Sequence, residues 1–282
     1  MQTWQILTFL AVIFWGTAQV FVKKGMARLA PPDAYFVGGV CGLPILISYA
    51  LFRGIHLTRD PLIFLACLYI VISYLIYYSG IYRGKLSISA TIISTYPMVT
   101  VILAFLFLSE RIRPHQIIAI IAIVGGTAFL ARSVDLDKTG TSLRPGTWII
   151  MLPLAAALAI GTGDILTKLV ITHYGIDDLL VYTSVFQLLL ATGIKIGKEG
   201  RNFSLGVFRV RPAVAGSVLL TCGSLFFYEA LNSGEVSLVI PLSSAYAPLT
   251  VLLSVFLLHE KFQRKTWGAI CIILAGVLLI NI

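Results

Sequence analysis

GKLSISATIISTYPMVTVILAFLFLSER, residues 84–111, returns 150 positions later as GEVSLVIPLSSAYAPLTVLLSVFLLHEK, residues 234–261. Gly84, Ser87, Ser94, Tyr96, Thr100, Val101, Leu103, Leu108 and Glu110 recur as Gly234, Ser237, Ser244, Tyr246, Thr250, Val251, Leu253, Leu258 and Glu260, nine identities in 28 positions. Roughly one in ten would arise by chance in so apolar a composition. A weaker echo at offset 145 sets Gly16, Thr17 and Lys23 against Gly161, Thr162 and Lys168. The chain is therefore read as a duplication. With an odd number of membrane spans per copy, the second copy enters the bilayer upside down relative to the first. Inverted pairs of that kind build secondary transporters with a midplane site.

Composition agrees with a membrane body. Hydrophobic residues make up 58% of 282 positions and charged residues 12%, with a mean hydropathy of +0.95. A soluble core does not need that much apolar surface. The net charge of +9 comes from Lys and Arg clustered between apolar runs, as anchors beside lipid headgroups are. No basic stripe studded with aromatics accompanies them, so no nucleic-acid partner is expected. Cys41, Cys67, Cys222 and Cys271 lie inside apolar runs with no CxxC pair. They read as packed thiols, and no metal or cofactor is expected.

Lipid offers no partner for free backbone groups, so a spanning helix needs about 20 apolar residues. Ten segments qualify, near 4–23, 33–52, 61–82, 88–108, 114–132, 146–170, 177–196, 212–231, 236–258 and 264–282. The expected fold is an all-α membrane protein of ten transmembrane helices in two inverted five-helix repeats, residues 1–132 and 146–282. The first span is expected to be permanent, since it is too long and lacks the basic start of a cleaved signal. The connections are too short to fold a soluble domain, which excludes most enzyme classes. Of 21 Lys and Arg residues, the loops on the side of the termini take five and the opposite side sixteen. That asymmetry places both termini outside.

Polar residues within the spans are costly and mark candidate sites. Asp164 stands in Gly161-Thr162-Gly163-Asp164 of the sixth span, with Lys168 one turn on, where an ion pair is available. Its repeat partner is Gln19. Glu229 follows Tyr228, which matches Tyr78 in a span also holding Tyr74, Tyr77 and Tyr82. Phenol hydroxyls need partners in a dry setting, which favours a wet cavity nearby. Ser94/Tyr96 and Ser244/Tyr246 fall beside Pro97 and Pro248, where proline loosens the helix. Glu110 and Glu260, each followed by a basic residue, read as helix caps or gate ion pairs. The candidate substrate-binding set is Trp15, Gln19, Tyr78, Ser94, Tyr96, Asp164, Lys168, Tyr228, Glu229, Ser244 and Tyr246, with no catalytic residue.

Phe14-Trp15-Gly16-Thr17 resembles the Trp-Gly opening of the EamA-like branch of the drug/metabolite transporter superfamily. Each half also carries a closing pattern similar to that family's: Leu108-Ser109-Glu110-Arg111 before Gly125-Gly126, and Leu258-His259-Glu260-Lys261 before Gly276. The resemblance implies ten helices around a cavity that opens alternately to either side. It implies transport of amino acids, other metabolites, nucleotide derivatives or drugs. Four-span relatives use a Glu in the first span; the first span here holds no acid, and Asp164 is the nearest substitute. A multi-pass protein of a bacterial or archaeal cytoplasmic membrane is expected, exporting small polar metabolites such as amino acids, with a coupled proton. A nucleotide-type or lipid-linked metabolite transporter, or a flippase of the same fold, is the alternative. A lipid-processing enzyme would need a catalytic constellation within the spans, and His56, His115, His173 and His259 are scattered in or beside loops.

Overall fold

The computed structural model describes residues 2–26, 29–83, 92–133, 148–200, 204–258 and 264–280. Eleven α-helices run through them: α1 Thr3–Met26, α2 Pro31–Phe52, α3 Pro61–Arg83, α4 Tyr96–Phe107, α5 Pro114–Ser133, α6 Trp148–His173, α7 Ile176–Glu199, α8 Arg211–Ser233, α9 Val236–Ser243, α10 Tyr246–Leu258 and α11 Arg264–Ile280. No strand occurs among the described residues. Prolines open α2, α3 and α5, where a missing N–H costs nothing.

The protein is a multi-pass membrane protein. Seven stretches are long and apolar enough to cross a bilayer, and Pro61–Tyr77 and Tyr96–Phe107 are shorter apolar helices. The count falls short of ten for reasons of length. The apolar part of α3 stops at Tyr77, residues 84–91 lie outside the described residues, and α11 has 17 residues. Large apolar side chains such as Leu62, Leu65, Phe105, Ile121 and Leu278 are turned outward, which suits hydrocarbon rather than water.

Two spans that hydropathy reads as continuous are broken. Ser94 and Thr95 form a turn before α4, and Ser244 and Ala245 separate α9 from α10. Pro97 and Pro248 therefore do not kink the middle of a helix. Each sits in the first turn of a half-helix, where its ring is harmless. Pro44, Pro153 and Pro241 lie within helices.

The chain forms two compact units, and each takes residues from both sequence halves. One comprises Met1–Val71 and Thr167–Asn232, the other Ile72–Leu166 and Ser233–Ile282.

In the first unit, α2 and α7 lie antiparallel. Asp33 meets Lys195, Gly39 approaches Leu188, Leu46 packs with Leu180 and Ile176, and Arg53 reaches Asp177. Lys195 is only 1% exposed; its Nζ lies 2.6 Å from Asp33 Oδ1 and 5.6 Å from the centroid of the Phe36 ring. A cation near the end of α7 and an anion in the first turn of α2 also suit both helix dipoles. At the other end, Glu229 of α8 accepts hydrogen bonds from Tyr49 at 2.7 Å and from Arg53 at 2.8 Å.

In the second unit, α5 and α11 meet reciprocally. A Cβ on Gly126 would lie 2.7 Å from Ile273 Cγ1, and one on Gly276 would lie 2.8 Å from Ile123 Cγ1. Gly126 and Gly276 are 150 residues apart, as are Ile123 and Ile273. Two equivalent contacts of this kind are what a two-fold relation between equivalent helices produces.

Glu110 does the capping that its position allowed. Ser109, at φ 54 in the left-handed region, turns the chain out of α4. Both Glu110 carboxylate oxygens then accept backbone amides at the start of α9, from Val236 and Ser237 at 2.8 Å each. An anion at a helix N-terminus satisfies otherwise orphaned donors and the dipole together. Glu110→Ala should cost about 1–2 kcal/mol and speed hydrogen exchange at the Val236 and Ser237 amides; unchanged exchange there would contradict the capping role. Glu260, the equivalent acid, lies outside the described residues.

Candidate functional site

The break before α4 sets the site. Tyr96 is the first residue of α4, and Thr100 follows one turn later with its side chain fully buried. Helix α6 passes close because Gly161 has no side chain: a Cβ there would lie 2.7 Å from Val99 Cγ1 and 3.2 Å from the Thr100 amide nitrogen. Gly163 likewise lets Ser73 Oγ of α3 approach to 3.0 Å of its Cβ position. That close approach delivers Asp164, which is 6% exposed. Thr100 Oγ1 donates to Asp164 Oδ2 at 2.9 Å.

One phenol, Tyr96, stands near that carboxylate. Tyr96 shares a hydrogen bond with Ser244 and lies within electrostatic reach of Asp164, Tyr246 and Tyr77. Tyr77 and Tyr96 also pack against Ile93, Ala156 and Ile160. Tyr246 opens α10 as Tyr96 opens α4, and the repeat holds in detail. Thr100 Oγ1 lies 3.2 Å from the Tyr96 carbonyl, its hydrogen turned to the nearer Asp164, and Thr250 Oγ1 donates to the Tyr246 carbonyl at 2.9 Å. The carboxylate breaks the symmetry, because only one copy supplies it.

Of the expected set, Tyr96, Asp164, Ser244 and Tyr246 thus come together in one compact unit, with Ser94 in the turn before α4. Tyr78 belongs to α3, but its side chain lies outside the described residues. Thr100 and Tyr77 were missed as site residues. Thr100 had a signal, since it is one of the nine repeated positions.

Trp15, Gln19, Lys168, Tyr228 and Glu229 belong to the other unit. Trp15 donates its indole N–H to the Leu220 carbonyl at 3.2 Å and packs on Phe227. Gly223 makes room for it, since a Cβ there would lie 2.5 Å from Trp15 Cδ1. Gln19 is half-buried on α1. Lys168 donates to the Leu231 carbonyl near the C-terminus of α8, where a cation suits the helix dipole. The i+4 spacing allowed an Asp164–Lys168 pair; tertiary packing hands each residue a different partner. Tyr228 packs against the Leu46, Ile176 and Leu180 cluster, and Glu229 is engaged by Tyr49 and Arg53. Among the described residues, no group of His, Cys, Asp and Glu side chains could hold a metal ion.

A broken span that meets a buried carboxylate is an arrangement found in membrane transporters built on discontinuous helices. The chain belongs to the EamA-like transporter family, whose pattern matches residues 2–132 and again 147–282. An uncharacterized protein of Methanocaldococcus jannaschii is 30% identical over 134 residues, covering 47% of this chain and 96% of that protein. Purine permease 3 and purine permease 2 of Arabidopsis thaliana are each 24% identical across 71% of this chain. The chain spans 62% and 64% of those two permeases. A solved crystal structure shares the fold with a TM-score of 0.81 at 16% identity, over 98% of this chain and 95% of the other.

Proposed function

We propose that this protein is a secondary transporter that exports small polar metabolites across the cytoplasmic membrane by alternating access. In this reading it has ten spans arranged as two inverted five-helix repeats, residues 1–132 and 146–282. The reciprocal Gly126–Ile273 and Gly276–Ile123 contacts support the inversion, as does a relative about half as long. The observation that carries the site is the buried Asp164 carboxylate, held by Thr100 and faced by Tyr96. An ionised carboxylate at membrane depth needs a cationic partner, a proton or water. A substrate ammonium or N–H group supplies the first, and a coupled proton the second. The phenols supply flat apolar faces and hydroxyls for the remainder of the molecule.

Amino acids fit this chemistry, with the ammonium at Asp164. Their carboxylate would face the amides that open a half-helix, as in other broken-helix carriers. A second reading, planar nitrogen heterocycles of the purine type, is favoured by the likeness to the two plant purine permeases. Ring N–H groups would then take the carboxylate, and the ring would stack on tyrosine.

Thermal-shift measurements on purified protein against the amino acids and nucleobases separate the two readings. Stabilisation by one class assigns it, and none by either removes both. Tyr96→Ala and Tyr246→Ala should each weaken binding of the stabilising compound about tenfold, the loss of roughly 1.4 kcal/mol of contact. Wild-type affinity in both variants would take the tyrosines out of the site.

A further inference from the structure

The carboxylate of Glu110 is spent on the start of α9, which leaves its basic neighbours with nothing to neutralise them in that loop. Arg111 and Arg113 are exposed, and among the described residues neither forms an ion pair. Between them lies Ile112, which faces the other way in chemical character. It is one of the residues, with Val101, Ile102, Phe105, Leu106 and Ile117, that line a groove of about 280 Å³ along α4 and the start of α5. Every lining side chain is apolar. Phe105 and Leu106 are 61% and 62% exposed, so the groove opens outward from its own unit toward hydrocarbon.

We propose that this groove is a binding site for one anionic phospholipid, with an acyl chain between α4 and α5 and the headgroup phosphate between Arg111 and Arg113. Three features support a phosphate at that end. Arg111 and Arg113 are the chain neighbours of Ile112, which lines the groove, and a guanidinium matches phosphate geometry. The loop leads directly into α5, whose N-terminus favours an anion. Arg113 already has its backbone amide satisfied by Gln116 Oε1 at 2.9 Å, so its side chain is not needed to hold the turn. The groove discriminates for the chain, and the arginines for the charge. The site also has a route to function. It lies along α4, the half-helix that carries Tyr96 at its start and Thr100 one turn later, so a lipid held there biases the position of the substrate site.

The test uses the full chain in detergent, titrated with phosphatidylglycerol or phosphatidylcholine carrying the same acyl chains, and read by native mass spectrometry and thermal shift. The expected result is roughly tenfold or greater preference for phosphatidylglycerol, because the choline cation of the other lipid offsets its phosphate and is repelled by two arginines. Arg111→Gln with Arg113→Gln should abolish the preference while leaving the lipid-free melting temperature unchanged. Ile117→Trp should block the groove and reduce retention of both lipids. Equal retention of the two lipids by the wild-type protein would overturn the proposal. So would a preference that survives the double arginine variant, or an equal shift produced by soluble glycerol phosphate. A dimer that phosphatidylglycerol does not dissociate would assign the groove to a second copy instead.

Discussion

If the proposed carrier is proton-coupled, Asp164→Asn protein reconstituted in vesicles is expected to lose the acceleration of transport by a proton gradient. Asparagine keeps an acceptor for Thr100 Oγ1, now 2.9 Å from the carboxylate, so the packing of α6 on α4 is preserved. What asparagine cannot do is alternate between charged and neutral forms. A carboxylate at membrane depth must be neutralised before a loaded or empty carrier reorients. If a substrate ammonium is the neutralising group, the same variant loses that charge-assisted bond. Affinity then falls by about 1.5–3 kcal/mol, tenfold to over a hundredfold. Transport measured across a pH gradient, together with binding by thermal shift, separates the two roles. Unchanged pH dependence with weakened binding leaves Asp164 to the substrate alone. Unchanged values for both would remove it from the site.

The largest effect on stability is expected from Asp33→Ala. Lys195 is 1% exposed, with its ammonium on Asp33 and above Phe36. Removing the carboxylate takes the Asp33 ion pair away from a cation buried between α2 and α7. Losses of this kind reach about 3–5 kcal/mol, and the lower figure is expected here because the Asp33 side chain is 22% exposed. The measurement is the thermal midpoint in detergent. The double variant Asp33→Ala with Lys195→Met should recover much of the loss, since an apolar side chain suits the space. A double variant no more stable than Asp33→Ala alone would show that the ion pair is not what holds the two helices.

Much of this architecture is legible in the sequence because the bilayer restricts what a chain can do. Apolar runs of spanning length must be helices, and a repeat at offset 150 is visible without any structure. The Ser-x-Tyr pairs beside proline pointed to the two half-helices, although hydropathy alone joins them into continuous spans. The partner chosen by each polar residue is much less legible. Spacing set Lys168 beside Asp164 on one helix. Whether it turns to that carboxylate or to the Leu231 carbonyl depends on where α8 ends in space. Glu110 could be recognised as a cap, but nothing local says that it caps the start of α9, 126 residues away. Trp15 and Glu229 looked like cavity groups because aromatic and acidic side chains within spans usually carry function. That Gly223 makes room for Trp15 and that Tyr49 donates to Glu229 is something no spacing in the sequence announces. The two compact units were also invisible, because each draws helices from both halves of the chain.

Solute counterflow tests the carrier most directly. Vesicles holding the protein are preloaded with the unlabelled compound identified by thermal shift and diluted into a trace of the same compound labelled. Transient uphill accumulation of label is predicted, saturable with concentration and strongly reduced in Tyr96→Ala and Asp164→Asn proteins. Label that merely equilibrates, at a rate proportional to concentration and indifferent to both substitutions, would contradict a substrate site at the broken helices.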